Sequence, residues 1–263
     1  MSWTTDGRSL TLNSSTARQL CELNNRFYLE HAESFSSSRQ SPWPGWQRCL
    51  GQIDDDLLAG NNEFRVLDLA CGNLRFESFL RSEYPELKLA YYAVDNCDVL
   101  IPNEASVNYQ HLDILEVLLQ GYDLNDHLEV PECSLTVSFG FMHHTPLQGY
   151  REKVLDYLIE KTEPGGSIVV TFWQFMKDES LRSKALDVHK RALRELGLGE
   201  LAENDFLLDW NNIAGVYRYC HSFSDEEIYE LLEKVVQKTE LIDRFVSDGR
   251  SHSLNTYVVL KKL

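Results

Sequence analysis

The chain has 263 residues, of which 43% are hydrophobic and 25% are charged, a balance typical of a globular protein of one domain or two small ones. This composition excludes a wholly disordered chain, a collagen-like chain and a coiled coil. Its 41 acidic and 25 basic residues give a formal net charge of −16, which argues against a nonspecific nucleic-acid binder, because such proteins need a basic face. A local basic patch is still compatible with that total.

The cysteines and the lack of long apolar segments indicate a cytoplasmic protein. No two of the six cysteines form a Cys-x-x-Cys pair, so their spacing predicts neither a zinc site nor a disulfide framework. The first residues are polar without a signal-peptide core, and no apolar run approaches the roughly 18 residues needed to cross a bilayer. We therefore expect a reduced, soluble, cytoplasmic protein that contacts no membrane.

The N-terminal part is predicted to begin with an amphipathic helix over 16–31. Thr16 and Gln19 match a capping box at its start, and the apolar residues of the segment recur on one face. The sequence Pro-Trp-Pro-Gly-Trp at 42–46 predicts a rigid loop, because two prolines flank the first tryptophan.

From residue 64 the chain alternates short apolar runs with longer amphipathic ones, which predicts strands covered on both faces by helices. The predicted strands are 64–69, 88–95, 107–112, 134–139 and 167–173, and the predicted helices are 73–83, 114–120 and 147–161. Thr145 is the expected N-cap of the last helix, with Pro146 in its first position. A turn at 163–166 is expected to separate that helix from the fifth strand.

The last third of the chain departs from this rhythm. A helix is predicted at 180–197, and Ser224 with Glu227 forms a capping box that begins another helix. Strands at 241–246 and 255–260 are expected to close the sheet as an antiparallel pair. The predicted fold class is therefore α/β, a doubly wound, seven-stranded and mostly parallel sheet. We predict one domain with an N-terminal helical cap (1–60), a core (61–175), an insertion (176–220) and a C-terminal helix with a strand pair (221–263).

Three acidic residues lie at the ends of three successive predicted strands. Asp68 precedes a small-residue turn at 70–73, Asp95 ends the second strand, and Asp113 follows the third. Ligands of open parallel sheets bind at the carboxyl ends of the strands, and small residues let the backbone approach them closely. A carboxylate after the second strand is well placed to accept hydrogen bonds from ribose hydroxyls. The pattern predicts a nucleoside-containing ligand at this edge of the sheet.

This layout resembles that of the class I S-adenosylmethionine-dependent methyltransferases, whose fold is Rossmann-like, over about residues 64–175. The resemblance implies S-adenosyl-L-methionine as the cofactor, with Asp68 near its methionine part, Asp95 at the ribose and Asp113 at the adenine. The residues implied for cofactor binding are Arg39, Trp43, Asp68, Ala70, Gly72, Asn73, Arg75, Asp95, Asn96, Asp113, Ile114 and Phe139. A nicotinamide-dependent dehydrogenase is the competing interpretation, but the Gly-x-Gly-x-x-Gly fingerprint is absent, since Gly72 is the one glycine of the turn.

Shorter motifs over about 20–260 narrow this resemblance. The segments 35–44, 139–144 and 217–223 are similar to those of the tRNA wobble-uridine carboxymethyl methyltransferases. The resemblance implies a role in tRNA modification: conversion of the carboxymethyl group of a wobble uridine into its methyl ester. It also implies tRNA and a small zinc-binding activator subunit as partners, and not DNA.

A carboxylate acceptor is already ionised at neutral pH, so methyl transfer to it needs positioning rather than a general base. Arginine suits this task because its planar fork binds both carboxylate oxygens. We predict that the catalytic residues are Arg39, His144, Arg218 and His221, with Arg75 as a further candidate cation. The adjacent pair His143-His144 has no third ligand at a suitable spacing, so no metal is predicted.

Three hypotheses on function stay open. The motifs favour methylation of tRNA, and the predicted helix 180–197, with a net charge of +3, offers a basic patch for it. The acidic total of the chain favours instead a methyltransferase that acts on a small molecule. Leu74, where the family usually has glycine, is expected to add bulk beside the ligand and favours a third hypothesis, a catalytically weak partner subunit.

Overall fold

A seven-stranded sheet forms the centre of the protein, which a computed structural model describes for residues 13–53 and 63–263. The strands are β1 (Phe64–Leu69), β2 (Leu89–Asp95), β3 (Asn108–His111), β4 (Cys133–Ser138), β5 (Thr162–Trp173), β6 (Asp205–Asp209), β7 (Tyr217–His221), β8 (Thr239–Ser247) and β9 (Asn255–Lys262). The order across the sheet is β3-β2-β1-β4-β5-β9-β8, and β6 and β7 form a separate hairpin. The first five strands are parallel, whereas β9 is antiparallel to both neighbours. The predicted fold class is thereby confirmed.

Helices cover both faces of this sheet, as the two-sided apolar strands require. The longer helices are α1 (Ser14–Ser37), α2 (Pro44–Leu50), α3 (Arg75–Glu83), α4 (Ile114–Leu119), α5 (Gln148–Glu160), α6 (Glu179–Leu196) and α7 (Asp225–Val235). Leu67 and Leu69 of β1 pack with α4, α5 and α7 in one core, whereas Phe64 and Val66 pack with α2 and α3 in the other. None of these helices is both long enough and apolar enough to cross a membrane.

The insertion between β5 and α7 makes a third packed unit beside the strand ends. It consists of α6 and the β6–β7 hairpin, and its apolar side chains pack against Leu20 and Leu23 of α1. Asn24 fixes the contact, because its side-chain oxygen accepts the backbone N–H of Tyr219 at 2.7 Å and its amide donates to the carbonyl of the same residue at 3.1 Å. The amide of Asn24 therefore replaces a neighbouring strand along the edge of β7.

The N-terminal segment differs from its predicted form in two places. The first helix begins at Ser14 rather than at residue 16, because Asn13 is its N-cap and accepts the Thr16 N–H at 2.8 Å; the expected capping box of Thr16 and Gln19 is wrong. The predicted loop at 42–46 is also wrong beyond Trp43. Pro44 occupies the first turn of α2, where a missing N–H costs nothing.

Two predicted boundaries in the core are wrong as well. Thr145 does not cap α5, because the helix begins at Gln148 with Leu147 as its N-cap, and Thr145 instead follows a short 3-10 turn over 142–144. The expected turn at 163–166 lies inside β5. A register shift against β4 absorbs the extra residues there, so the strand continues from Thr162.

Gly45 of α2 lies directly against β9, with no room for a side chain. A Cβ built on Gly45 would lie 2.3 Å from Cζ of Tyr257. That ring cannot move aside, because it is fully buried and its hydroxyl donates to Asp248 at 2.6 Å. The backbone N–H of Gly45 donates to the same carboxylate at 3.2 Å, so Asp248 holds α2 against the sheet.

We expect Gly45→Ala to lower the free energy of unfolding by about 1–3 kcal/mol, since the added methyl group overpacks a site that cannot relax. Gly51→Ala is the control, because a Cβ there meets nothing closer than 3.5 Å and the backbone is right-handed. Urea denaturation of the two variants checks this. Equal midpoints would contradict the close approach at Gly45.

Candidate active site

A cavity of about 350 Å³ opens at the carboxyl ends of β1, β2 and β4, and α1 and residues 39–46 cover it. Its size is that of a small-molecule site. It is lined by all twelve residues implied for cofactor binding and by three of the four predicted catalytic residues: Arg39, Trp43, Asp68, Ala70, Gly72, Asn73, Arg75, Asp95, Asn96, Asp113, Ile114, Phe139, His144 and Arg218. Their roles stay predictions. The structure brings these side chains together, and His221 is the exception.

The strand ends place two buried carboxylates against the cavity. Burial raises the pKa of Asp68 to about 7, although the Tyr91 hydroxyl donates to it at 2.6 Å. Asp95 accepts the backbone N–H groups of Gly72 at 2.8 Å and Cys97 at 3.0 Å, and burial raises its pKa as well. The first two strands thus present acidic groups whose positions are fixed by hydrogen bonds.

The third strand end is joined to α1. Asp113 caps α4 by accepting the N–H of Glu116 at 3.0 Å, and its other oxygen accepts from the amide of Asn25 at 2.5 Å. The amide of Asn96 donates to Asn25 at 2.8 Å. Asn25 therefore bridges the loops that follow β2 and β3, and it closes the cavity on that side.

The turn after β1 is tightly wound, with φ of 64° at Ala70, 55° at Gly72 and 56° at Leu74. A Cβ on Gly72 would meet nothing within 4 Å, so the backbone faces open space where a ligand could approach. Leu74 does not add bulk to the cavity, and that expectation is wrong. Its side chain is 1% exposed and packs among the aromatic residues of the α2–α3 core.

Residues 39–46 form the wall opposite the strand ends. Asn73 donates to the carbonyl of Arg39 at 3.2 Å, and Arg75 donates to the carbonyl of Ser41 at 3.0 Å. Trp43 stacks on Trp46 with ring centroids 5.6 Å apart. The β1–α3 turn therefore holds this segment by hydrogen bonds to its backbone.

Two guanidinium groups lie at the other end of the cavity without a carboxylate. Arg218 is 8% exposed and lies 5.6 Å from the ring of Trp173 and 5.4 Å from that of Trp210. Arg39 lies 4.0 Å over Phe35 and 5.3 Å from Trp210. Burial and the Arg218 charge lower the pKa of Arg39 to about 10. Among the described residues no acidic side chain is ion-paired with either arginine.

His144 is neutral and fully hydrogen-bonded. Burial lowers its pKa to about 3. Nδ1 lies 2.9 Å from the Tyr219 carbonyl and 3.1 Å from the amide nitrogen of Asn24, and Nε2 lies 2.8 Å from the Tyr28 hydroxyl, so protein groups occupy both ring nitrogens. In this state His144 positions Tyr28 and does not remove a proton.

The sequence missed that Cys220 joins the histidine pair. Potential ligand atoms of His143, His144 and Cys220 lie within 4.8 Å of one another. His144 already uses both ring nitrogens, and burial raises the pKa of the Cys220 thiol to about 11. Two positively charged guanidinium groups are nearby, so this cluster is poorly suited to a divalent cation.

His221 lies outside the cavity, and its predicted catalytic role does not fit its position. Its Nδ1 contacts Asp205 at 2.7 Å and its Nε2 contacts Glu227 at 2.9 Å. Burial opposes the ionisation of Glu227, but His221, the Ser224 N–H and the Arg151 charge together outweigh it and lower the pKa of Glu227 to about 2. Arg151 approaches the same two carboxylates at 3.8 and 4.0 Å. His221 therefore joins the hairpin to α7, and Arg151 adds α5 to the same group of contacts.

The structure adds cavity residues that the sequence analysis did not assign to the site. They come from α1, from the turn after β4 and from the β8–β9 turn: Asn24, Asn25, Tyr28, Phe35, Phe141, His143, Asp248, Gly249, Leu254 and Asn255. Asn24, Asn25 and Tyr28 had a signal, since they are polar and share one side of a helix whose neighbouring residues are apolar. In the β8–β9 turn, the sequence predicts a turn but gives no indication that its residues line a site.

We expect Asp68→Asn to stabilise the protein more at high pH than at low pH. The carboxyl group has a pKa of about 7 when folded and an ordinary value of 3.8 when unfolded, so its ionisation destabilises the folded state progressively from about pH 4 to about pH 7. The stability difference between variant and wild type should grow by about 3 kcal/mol from about pH 5 to about pH 8. Urea titrations at the two pH values measure it, and a constant difference would contradict the raised pKa.

Comparison with known proteins identifies the fold. No family model matches the chain. A protein of Encephalitozoon cuniculi, named provisionally as a methyltransferase, is 27% identical over 210 residues, covering 78% of this chain and 82% of that protein. An S-adenosylmethionine-dependent methyltransferase structure from Methanosarcina mazei has a TM-score of 0.56 and 14% identity, covering 85% of this chain and 99% of that one. The Burkholderia thailandensis 1,6-didemethyltoxoflavin-N1-methyltransferase, with 1,6-didemethyltoxoflavin and S-adenosylhomocysteine bound, has a TM-score of 0.58 and 12% identity, covering 99% and 98%. The chain therefore has the fold of the class I S-adenosylmethionine-dependent methyltransferases.

Proposed function

We propose that this chain is an S-adenosylmethionine-dependent methyltransferase that esterifies a carboxylate, namely the carboxymethyl group of a modified wobble uridine in tRNA. The fold comparisons and the 27%-identical relative support the methyltransferase activity and its cofactor. The acceptor is argued from the basic end of the cavity and from the sequence motifs around it.

The acidic end of the cavity fits the cofactor. Asp95 would accept hydrogen bonds from ribose hydroxyls, Asp113 and Ile114 would contact the adenine, and the open backbone at Gly72 would lie against the methionine part. Asp68 lies where the cofactor would bring positive groups, which would favour the ionised form of its carboxyl group. When bound, S-adenosylmethionine supplies an activated methyl group on a sulfonium.

The observation that carries the acceptor class is the pair Arg39 and Arg218. Two guanidinium groups share the ring of Trp210, line one cavity and have no acidic partner among the described side chains. A buried charge without a partner costs folding free energy, and the repulsion between the two like charges adds to that cost. A substrate carboxylate would remove both penalties, because each guanidinium can donate two parallel hydrogen bonds to it.

The side chains present suffice for methyl transfer to such an acceptor. A carboxylate is ionised at neutral pH, so such an acceptor would supply its own nucleophilic oxygen with no proton to remove, and the sulfonium would leave as a neutral thioether when its bond to the methyl carbon breaks. Arg39 and Arg218 would hold the acceptor in line, and the aromatic rings around them exclude water. The neutral His144 is consistent with this chemistry, since no general base is needed.

The motifs at 35–44, 139–144 and 217–223 support RNA as the carrier of this carboxylate, and α6 offers a surface for it. Arg182, Lys190 and Arg194 are exposed on α6 with no acidic partner among the described residues, whereas Lys184 and Arg191 contact Asp209. Unpaired basic side chains of this kind attract phosphate groups. A small zinc-binding activator subunit is part of the same proposal.

A small carboxylic acid is the second candidate acceptor. The net charge of −16 disfavours a polyanion, and the Burkholderia neighbour is named for the methylation of a small molecule, 1,6-didemethyltoxoflavin. The acceptor cavity would be the same in both cases. The two candidates differ in whether the phosphate backbone contributes to binding.

The test supplies S-adenosylmethionine with two acceptors, an anticodon stem–loop RNA containing 5-carboxymethyluridine and the free nucleoside. We expect mass spectrometry to detect the methyl ester in the RNA, with kcat/KM at least about 10-fold above that of the nucleoside because α6 adds phosphate contacts. The assay mixture also contains the small zinc-binding activator subunit. If the free nucleoside is methylated and the RNA is not, the proposal is rejected in favour of the second candidate, a small carboxylic acid.

Arg218→Met should lower kcat/KM for the carboxylate acceptor by about 10²–10³-fold, the loss expected when a buried charge pair is broken. The affinity for S-adenosylmethionine, measured by calorimetry, should change less than about threefold, because Arg218 lies at the other end of the cavity from the strand-end acids. Arg191→Met, which removes an exposed arginine of α6, is the control and should leave methyl transfer to the free nucleoside unchanged. Equal losses in the two variants would contradict a carboxylate clamp.

A further inference from the structure

His143 has unused hydrogen-bonding capacity in the wall of the acceptor end, the part of the cavity around Arg218 where the methyl acceptor would bind. The residue is 8% exposed and lines the cavity beside Trp173, with ring centroids 5.0 Å apart. Its Nδ1 is buried and has no hydrogen-bond partner, and no described residue makes a hydrogen bond to the ring. Leaving such a group unpaired is unfavourable, so a native structure usually supplies a partner from a ligand or a water molecule.

The imidazole of His143 is neutral. Burial lowers its pKa well below the ordinary value, and the neighbouring His144, Arg218 and Arg39 lower it further. A neutral imidazole has one N–H donor and one nitrogen lone pair that accepts. His143 therefore differs from the arginines beside it, which can only donate.

Four side chains beside His143 have no acceptor atom to spare. Arg39 and Arg218 have no acceptor atoms, and the indole of Trp173 has only a donor. Both ring nitrogens of His144 already have protein partners. The nitrogen lone pair of His143 is therefore one that these four neighbours leave to a substrate.

We propose that His143 accepts a hydrogen bond from a ring N–H of the methyl acceptor, so that the site selects planar lactams and imides of the uracil class that also carry a carboxylate. This inference rests on the proposed function and adds a second point of recognition to it. The two arginines bind the anionic group, and His143 binds the N–H of the ring. The indole of Trp173 lies 5.0 Å from the His143 ring and 5.6 Å from the Arg218 guanidinium, and its flat face favours a flat substrate.

The test uses two stem–loop RNAs that differ at one ring nitrogen, with 5-carboxymethyluridine in one and 5-carboxymethyl-3-methyluridine in the other. The second has N3–CH₃ in place of N3–H, so it keeps both ring carbonyls and the carboxylate but loses the donor. We expect the wild-type protein to methylate the N3-methyl RNA with a kcat/KM about 10–100-fold lower. His143→Phe should use both RNAs with equal, reduced kcat/KM, whereas His143→Gln, whose carbonyl still accepts, should retain part of the preference.

The outcomes separate this inference from the proposed function. If the wild-type protein methylates neither RNA, both are rejected. If it methylates the two RNAs equally well, or if His143→Phe keeps the preference, the role of His143 is rejected while the carboxylate methyltransferase stands. Calorimetry with S-adenosylmethionine shows that each variant is folded. If His143→Phe does not fold, the wild-type comparison and His143→Gln decide.

Discussion

The acceptor end of the cavity is built around one constraint, the burial of the Arg218 guanidinium without an acidic partner. A charge in that position is tolerated because aromatic rings surround it, those of Phe27, Trp173 and Trp210 lying 5.4–5.6 Å from the guanidinium carbon. Those rings come from α1, the end of β5 and the residue after β6. The packing of three separate elements is thus required to hold one cation, which explains why the insertion docks on the N-terminal helix.

The cavity brings charges of both signs together. Asp68, Asp95 and Arg75 follow strands of the sheet, whereas Arg39, Arg218 and Asp248 belong to the elements that cover them. Under the proposed function, the carboxylates would face a positive sulfonium, and the two arginines without an acidic partner would face a substrate carboxylate. The total charge of −16 says little about this arrangement, because over such short distances the local groups dominate.

Sequence predicted the parts of this site that follow local rules. The acids at Asp68, Asp95 and Asp113 could be found because each follows an apolar strand, and parallel strands end at one edge of a sheet. His221 was assigned wrongly because residues 217–221 were not recognised as a strand. Side chains alternate along a strand, so Arg218 and Cys220 share the face toward the cavity while His221 faces away with Tyr219.

The rest of the site depends on contacts between distant segments, which no local pattern encodes. Asn24 meets Tyr219 across 195 positions, and Asp248 meets Gly45 across 203. In each contact one side chain accepts from one backbone N–H. A single contact of this kind leaves no repeating pattern in the sequence. Together the two contacts hold the N-terminal cap on the sheet.

The same two contacts explain how a common fold acquires a particular acceptor site. The parallel sheet supplies the cofactor end, and a side chain at 74 that points into the core leaves that end open. The two arginines come from additions, residues 39–46 and the β6–β7 hairpin, whereas His143 and Trp173 follow or end strands of the sheet. Because Asn24 completes the hydrogen bonds of Tyr219, the strand that carries Arg218 cannot shift without also displacing α1. The position of Arg218 is therefore coupled to that of the N-terminal helix, a coupling that the common sheet alone does not provide.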